Sequence, residues 1–321
     1  MELFTYHPTV GYTFTPNQKH RIPHESGGYL VKTDSLGFRN SSEISADRKN
    51  VFVFGDSFTA GDGVSNGKRW SDLLGSHLDG FDVHNFGLSG SGTDQQYLAW
   101  SEFCRGYNPE LVVIAVLVEN IRRNDARYRI VATENGEQKL KAKPYFELDA
   151  AGQLVLKHNP VPRELREPDE VRAWEVDKGG RFFLGRRLVR NLGLRDSVQK
   201  LLHYQPLPEY RKPDAISWLR TRAILERWIS EIEAPCVIVP IPIHQYIEGT
   251  ADASDCQTRF DELSRDTGVP VIDPLPRLLD YDAAERRAFR FEEDVHFTEA
   301  GHKALADAVG PAIRDILGRA Q

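Results

Sequence analysis

The chain has 321 residues, of which 40% are hydrophobic and 27% are charged, and its formal net charge is -6. This balance is typical of a globular domain, argues against a general affinity for nucleic acid, and leaves no run of roughly 18 apolar residues for a membrane span. Its three cysteines lack CxxC spacing and its N-terminus lacks a basic stretch before an apolar one, so we expect no disulfide framework, no signal peptide and a cytoplasmic location.

Residues 1–45 form a predicted N-terminal extension in which prolines and glycines separate short apolar pieces. The pieces at 11–14 and 28–31 contain aromatic and β-branched residues and are predicted edge strands. His20 and His24 do not match a zinc-binding helix, because a proline lies between them and no glutamate follows His20. We therefore predict no metal site and expect this segment to cover an edge of the main sheet.

The first core strand is predicted at residues 51–54, directly before Gly55, Asp56 and Ser57. Its four residues are all apolar and a glycine ends the run, which is typical of a buried parallel strand. A serine just past the carboxyl end of such a strand lies where open α/β sheets bind ligands. The same tripeptide is also common in ordinary turns, so it does not establish a site by itself.

The next two predicted strands also end in glycine-rich or polar turns. Strand 81–86 runs into the glycine-rich turn 87–93. The GxxGxG spacing of this turn does not match a dinucleotide site, but such a turn can present backbone N–H groups to an anion. Strand 111–117 is the strongest buried strand and is followed by Asn120. An asparagine there is either a turn former or a side-chain donor to an oxyanion.

Residues 126–229 are predicted to form an insertion that breaks the alternation of strands and helices. A β-hairpin is predicted at 145–156. Two helical patterns, separated by prolines, cover about 182–203 and 214–232. The insertion begins shortly after the third strand, so we expect it to form a cap beside the carboxyl ends of the strands and to determine substrate choice.

The alternation of strands and helices resumes after the insertion. The predicted elements are strands at 236–240 and 269–273 and helices at about 253–267 and 299–318. With the first three strands they predict an α/β fold with a doubly wound, five-stranded parallel sheet, whose core spans residues 46–125 and 230–321. His244 and Tyr246 follow the fourth strand, and we predict that they line a pocket at its end.

Four sequence blocks, taken in order, resemble those of the SGNH hydrolases, also called the GDSL esterase/lipase superfamily. The blocks are Gly55-Asp56-Ser57-Phe58, Asn85-Phe86-Gly87-Leu88-Ser89-Gly90, Asn120, and His296 before Thr298-Glu299-Ala300-Gly301-His302. The resemblance covers about 46–125 and 233–317. It implies the flavodoxin-like fold of that superfamily.

The resemblance also implies a role for each block. Ser57 would be the nucleophile, and His296 would be the base that accepts its proton. The backbone N–H groups of Ser57 and Gly90 and the side-chain amide of Asn120 would bind the oxyanion. His302 lies inside the last predicted helix, and we assign it a structural role.

The acid partner of His296 has two candidates. The common Asp-x-x-His block of the superfamily places Glu293 in the acid position, whereas the Asp-x-His form of branches that act on polysaccharides places Asp294 there. Residues two apart in an extended segment point to the same side, so Asp294 can orient His296. We favour Asp294, and Glu293 remains the alternative and a candidate pocket residue.

The resemblance implies a serine esterase that forms an acyl-enzyme and uses no cofactor or metal. From the Asp-x-His form we expect an acyl ester, with acetyl favoured, on a carbohydrate or another small molecule. An O-acetyltransferase would use the same residues, and the departures from the family pattern at Glu119 and Glu293 also allow a binding module with a disabled site. The sequence does not distinguish hydrolysis from acyl transfer, and it does not indicate an oligomeric state.

Overall fold

The computed structural model describes residues 2–133, 135–177 and 205–319 of the chain. In these residues the strands are β1 (Phe4–His7), β2 (Gly11–Phe14), β3 (Lys19–Ile22), β4 (Tyr29–Lys32), β5 (Lys49–Gly55), β6 (Phe81–Gly87), β7 (Leu111–Leu117), β8 (Tyr128–Ala132), β9 (Gln138–Ala142), β10 (Tyr145–Leu148), β11 (Leu154–Lys157), β12 (Leu165–Arg166), β13 (Val176–Asp177) and β14 (Cys236–Ile241). The α-helices are α1 (Ser57–Ala60), α2 (Trp70–Leu74), α3 (Thr93–Phe103), α4 (Asn120–Asp125), α5 (Ile216–Glu231), α6 (His244–Ile247), α7 (Ser254–Thr267), α8 (Leu275–Leu279), α9 (Ala283–Ala288) and α10 (Glu299–Arg319). The helix predicted at 182–203 lies outside the described residues.

The centre of the fold is a four-stranded parallel sheet with the strand order β14-β7-β5-β6. In chain order these are the fourth, third, first and second core strands, which is the order of a flavodoxin-like sheet. Every residue of β7 is buried, because helices cover both faces of a parallel sheet and its inner strands are apolar on both sides. The predicted α/β class and the parallel sheet are confirmed.

The predicted fifth strand at 269–273 is much reduced in the structure. It meets the sheet through one isolated parallel bridge between Ile238 and Val271. The Ile238 N–H donates to the Pro270 carbonyl at 3.0 Å, and the Ile272 N–H donates to the Ile238 carbonyl at 2.9 Å. Because Pro270 has no N–H of its own, it cannot extend the ladder. The described sheet therefore has four strands rather than the five that we predicted.

Two groups of helices pack around the sheet. Helix α10 contacts α2 and α8, while α3 contacts α4 and α5. The connection from β5 leads outward to β6, and the next connection leads back across to β7, so right-handed crossovers place α2 and α3 on opposite faces. At the carboxyl edge between β5 and β7 the connections diverge, which leaves the crevice where such sheets bind ligands.

The N-terminal extension contains two antiparallel hairpins, β1-β2 and β3-β4. The chain after them covers the edge strand β6, where the Asn40 side-chain oxygen accepts the Asn85 N–H at 2.7 Å. The adjacent Arg39 is fully buried and donates to the backbone carbonyls of Ala60 and Gly61, both at 2.7 Å. The extension therefore covers a sheet edge, as we expected, and also holds the loop that follows α1.

The described part of the insertion contains a small sheet in addition to the predicted hairpin. Strands β10 and β11 form that hairpin, and α5 lies within the helix predicted at 214–232. The sequence pattern does not indicate the second sheet, which has the order β12-β9-β8-β13. Its strands are short, and its buried side chains Tyr128, Leu140 and Ala142 form a small hydrophobic cluster with Val161. No helix in the described ranges is both long and apolar enough to cross a bilayer.

Candidate active site

Ser57 is the first residue of α1, and one residue separates it from the carboxyl end of β5. The Asp56 side chain accepts the Phe58 N–H at 3.0 Å and caps this short helix. At its other end Gly61 has a φ of 79°, a left-handed conformation that suits glycine, and its N–H donates to the Ser57 carbonyl at 2.8 Å. These two contacts hold the buried serine at the carboxyl edge of the sheet.

A chain of hydrogen bonds joins Ser57, His296 and Asp294. His296 Nε2 lies 2.8 Å from Ser57 Oγ, and His296 Nδ1 lies 2.5 Å from Asp294 Oδ1. The backbone N–H of His296 also donates to Asp294 Oδ1, at 3.1 Å. An ionised carboxylate only accepts hydrogen bonds, so Nδ1 carries the imidazole proton and Nε2 accepts the serine hydroxyl proton. Of the two candidate acids, Asp294 makes this contact.

Electrostatics around His296 favours its charged form. Burial lowers the pKa of His296, but the hydrogen bond that its ring donates to Asp294 and the negative charges of Asp62, Asp294 and Asp56 outweigh burial and raise the pKa above the usual histidine value. For Asp294 itself, burial raises the pKa, and the hydrogen bonds from His296 and His24 outweigh it and hold that pKa well below its usual range. Asp294 is therefore ionised at neutral pH and can stabilise an imidazolium.

Asn120 is fully buried at the start of α4. Its Oδ1 accepts a hydrogen bond from Arg123 Nη1 at 3.0 Å, since a guanidinium can only donate. This contact orients the amide, and among the described residues its Nδ2 has no hydrogen-bond partner. A buried donor without a partner costs free energy. The Asn120 Nδ2 amide is therefore available to donate to a bound ligand.

Gly90 follows β6 and lines a cavity beside Ser57. Its φ of 75° lies in the left-handed region, where other residues are strained. An added Cβ would also lie 2.7 Å from Arg129 Nη2. The positive φ is the reason that this position favours glycine, because the Arg129 guanidinium is the flexible end of a side chain and can move away from an added Cβ. The role of Gly90 as an oxyanion donor remains a prediction.

Arg123 connects the loops after three core strands. Its Nη1 lies 2.7 Å from Asp56 Oδ2, and the two side chains are 16% and 1% exposed. The same nitrogen also donates to the Ser91 carbonyl at 3.2 Å and to Asn120 at 3.0 Å. One guanidinium thus holds together the segments that follow β5, β6 and β7. Its place one helical turn after Asn120 is the signal that could have identified it from the sequence.

The cavity has a volume of about 620 Å³. Its walls come from the N-terminal extension, the core loops, the insertion and the loop before α10. Six of its charged or polar lining residues are absent from the sequence-based prediction, and these are His24, Glu25, Asp62, Arg123, Arg129 and Asp177. Two of the six, Arg129 and Asp177, belong to the insertion, and Arg123 lies in α4 just before it. Within the described residues, no group of three or more His, Cys, Asp or Glu side chains is arranged to hold a metal ion.

The structure places His244 and Tyr246 outside this cavity, contrary to our expectation. His244 is buried in α6 and hydrogen-bonds the Val295 carbonyl, and burial lowers its pKa to about 3. Tyr246 is also buried and lines a separate space of about 30 Å³. The chain turns into α6 directly after β14 and packs both rings into the core. His302 accepts the Trp70 N–H at 3.2 Å and is structural, as predicted.

Comparison with known proteins supports a hydrolase core. The model of the GDSL-like Lipase/Acylhydrolase family matches residues 53–304, a range that contains Ser57, Gly90, Asn120 and His296. Among solved structures, the chain is similar to the lipase/acylhydrolase from Enterococcus faecalis, with a TM-score of 0.45 and 16% identity over 84% of this chain and 96% of that chain. A member of the lipolytic protein G-D-S-L family from Veillonella parvula matches with a TM-score of 0.42 and 12% identity over 81% of this chain and 96% of that chain.

A two-domain esterase active on acetylated mannans is also similar, with a TM-score of 0.43 and 11% identity over 85% of this chain and 50% of that chain. No curated protein sequence matches the chain.

We predict that Arg123→Met lowers the stability of the protein strongly, because it leaves the buried Asp56 carboxylate without its cation. Removing one partner of a buried ion pair typically costs about 3–5 kcal/mol. Arg122→Met is the matched control, since that side chain is 44% exposed and exposed ion pairs contribute about 0–1 kcal/mol. Urea unfolding measures both variants, and an equal loss in the two would contradict the prediction.

Proposed function

Because the chain belongs to the GDSL-like lipase/acylhydrolase family and is therefore a hydrolase, we propose that it is a serine esterase with Ser57 as its nucleophile. The observation that carries the proposal is the hydrogen-bond chain from Ser57 Oγ through His296 to Asp294, with distances of 2.8 and 2.5 Å. A serine hydroxyl is a weak nucleophile until an adjacent base accepts its proton. Here the base and its carboxylate are both within direct hydrogen-bond distance.

In the proposed reaction, Ser57 Oγ attacks the ester carbonyl carbon while its proton passes to His296 Nε2. The imidazolium then gives that proton to the leaving alcohol oxygen as the C–O bond breaks, and an acyl-enzyme remains. Water attacks the acyl-enzyme with His296 again as the base, and release of the carboxylic acid restores Ser57. Asp294 stays ionised and stabilises the imidazolium, as its lowered pKa favours.

The tetrahedral intermediate has a negatively charged oxygen, and we assign its binding to the N–H groups of Ser57 and Gly90 and to Asn120 Nδ2. The buried amide nitrogen, which has no hydrogen-bond partner in the described part of the chain, supports this assignment. A donor of this kind typically lowers the barrier by about 3–4 kcal/mol. Arg123 contributes indirectly, because its contact with Asn120 Oδ1 turns the amide so that its nitrogen is free to donate.

The substrate class that we propose is an acetyl ester on a carbohydrate. The resemblance of Asp294-Val295-His296 to the Asp-x-His form is one support. The charged side chains Glu25, Asp62 and Arg129 in the cavity wall are another support, while apolar side chains of the N-terminal extension line a further part of the wall. Hydrogen-bonding groups of this kind suit a sugar with several hydroxyls better than a long acyl chain, which requires an apolar channel.

We predict that Ser57→Ala abolishes hydrolysis of p-nitrophenyl acetate and covalent labelling by a fluorophosphonate, because no other group supplies the attacking oxygen. Thermal unfolding should remain cooperative. Ser76→Ala is the matched control, since its hydroxyl donates to the Leu73 carbonyl on an exposed turn, and it should retain both activities. Hydrolysis or labelling by folded Ser57→Ala protein at the wild-type rate would remove the nucleophile assignment.

We predict that acetylated oligosaccharides are better substrates than esters of longer acids. Release of acetate from an acetylated oligosaccharide should be measured beside hydrolysis of p-nitrophenyl octanoate. We expect kcat/KM for the octanoate to be at least about tenfold lower than for the oligosaccharide. A preference for the octanoyl ester would contradict the carbohydrate assignment. Transfer of the acetyl group to a second sugar, without release of acetate, would show that the enzyme is an O-acetyltransferase.

We predict that kcat/KM falls as the pH decreases through a value above 6.5, because His296 must be neutral to accept the serine proton and its pKa is raised. Asp294→Asn removes a charge that raises this pKa, so the acid limb should move to lower pH. The maximal rate should fall as well, by up to about 10⁴-fold if the effect equals that in a serine protease.

Glu293→Gln is the matched control for Asp294→Asn, since the carboxylate next to it in sequence keeps its contact with His296. It should retain the wild-type pH profile. A large loss in Glu293→Gln with a nearly normal Asp294→Asn would assign the acid role to Glu293.

A further inference from the structure

We propose that His24 and Glu25, in the turn between β3 and β4, are positioning residues that hold the segment with Asp294 and His296 in its working geometry. The proposal rests on the function proposed above for that segment. Both residues belong to the N-terminal extension, which lies outside the range 53–304 that matches the family model. The site would then depend on a part of the chain that the family pattern does not include.

Glu25 binds the backbone of the segment directly. Its Oε2 accepts the Glu292 N–H at 3.1 Å, and its Oε1 accepts the N–H groups of Glu293 at 2.9 Å and Asp294 at 2.7 Å. Three successive backbone donors thus converge on one carboxylate, which restricts the φ and ψ angles between them. Hydrogen bonds to a charged acceptor are stronger than those to a neutral one. The backbone that leads into Asp294 is therefore fixed from outside the hydrolase core.

His24 binds the second oxygen of the Asp294 carboxylate. His24 Nε2 lies 3.2 Å from Asp294 Oδ2, while Asp294 Oδ1 accepts both donors of His296. The ionised Asp294 carboxylate can only accept, so Nε2 is the donor in this contact. A neutral His24 therefore carries its proton on Nε2, where it donates to Asp294.

The two oxygens of Asp294 thus have separate partners, and this fixes the plane of the carboxylate. The last torsion of an aspartate side chain is broad and has no strong intrinsic preference. With His24 in place, rotation about that torsion breaks the hydrogen bond to His24 or the hydrogen bond to His296. Without it, the carboxylate is held on one oxygen alone, and its alignment with His296 Nδ1 is less well defined.

Packing around His24 makes the turn rigid enough for this role. Its ring is in edge contact with Phe291, with centroids 4.5 Å apart, and with Tyr29, at 5.7 Å. The Ser26 hydroxyl donates to the Gly63 carbonyl at 3.1 Å. The turn therefore contacts the segment before His296 on one side and the loop after α1 on the other, which joins the nucleophile side of the site to the base side.

The test compares His24→Leu, His24→Gln and His20→Leu in the full-length protein. His24→Leu should lower kcat by about ten- to a hundredfold, the effect of losing a hydrogen bond to a charged group, with KM changed by less than about twofold. His24→Gln should retain most of the activity, because its amide N–H₂ can replace Nε2 as the donor to Asp294. His20→Leu controls for the hairpin, since His20 lies on β3 and its buried Nε2 has no hydrogen-bond partner among the described residues.

A second measurement does not depend on ester hydrolysis. Proton NMR should show a downfield resonance for the His296 Nδ1 proton, identified by its absence in His296→Gln. His24→Leu should shift this resonance, whereas His24→Gln and His20→Leu should leave it nearly unchanged. Glu25→Ala should shift it as well, and Glu43→Ala, whose carboxylate binds Ser35 elsewhere in the extension, should not.

The outcomes separate the two proposals. An unchanged kcat and an unchanged resonance in folded His24→Leu protein would overturn the positioning role. Equal losses of kcat and thermal stability in His24→Leu and His24→Gln would also overturn it, because they would indicate a purely structural residue. If the wild type neither hydrolyses esters nor reacts with a fluorophosphonate but the resonance shifts in His24→Leu, the positioning role holds and the esterase assignment fails.

Discussion

All strands of a parallel sheet run in one direction, so their carboxyl ends meet at the same edge, and the site depends on this constraint. Ser57, Gly90 and Asn120 follow β5, β6 and β7, which are hydrogen-bonded neighbours in the sheet or one strand apart. The buried apolar residues of these strands contribute no chemistry, but their register determines where each loop begins. Packing on both faces of the sheet is therefore a requirement of the site geometry as well as a source of stability.

Each of three carboxylates at this edge has a hydrogen-bond partner. Asp56 contacts Arg123, Asp62 accepts the Ser89 hydroxyl at 2.6 Å, and Asp294 contacts His296. A buried carboxylate without such a partner would be costly. With their partners, the three carboxylates produce a negative potential at the imidazole that favours its protonated form. The environment is thus suited to a base that becomes cationic during the reaction.

The sequence was sufficient for the elements with strong periodic or compositional signals. The continuous apolar run of β7, the glycine-rich turn after β6 and the long helix α10 were all predictable within one or two residues. The proximity of Ser57 to Asp294 and His296 was also predictable. Ser57 follows the end of a predicted strand, and the family blocks contain Ser57 and His296. The fifth strand was overestimated, because the apolar residues at 269–272 favour a strand whereas Pro270 lacks the N–H donor needed to extend a ladder.

Contacts between distant segments that lie outside the family blocks were not predictable. His24 and Glu25 lie in a polar turn whose local sequence is ordinary, and only the fold brings them to Asp294. The burial of His244 depends on how α6 packs after β14, which local pattern does not determine. A residue's position after a strand predicts the edge at which it lies, but the direction of its side chain depends on the rotation of the element that carries it.

His24 and Asp294 are separated by 270 positions in the chain. Closing so long a loop has a large entropic cost, which the contact alone cannot offset, so it can persist only after the sheet between the two segments has formed. An incompletely folded chain with β5, β6 and β7 in place would hold Ser57 and Asn120 at one edge without the aligned base. If Ser57 is the nucleophile proposed above, its reactivity is thereby coupled to completion of the fold.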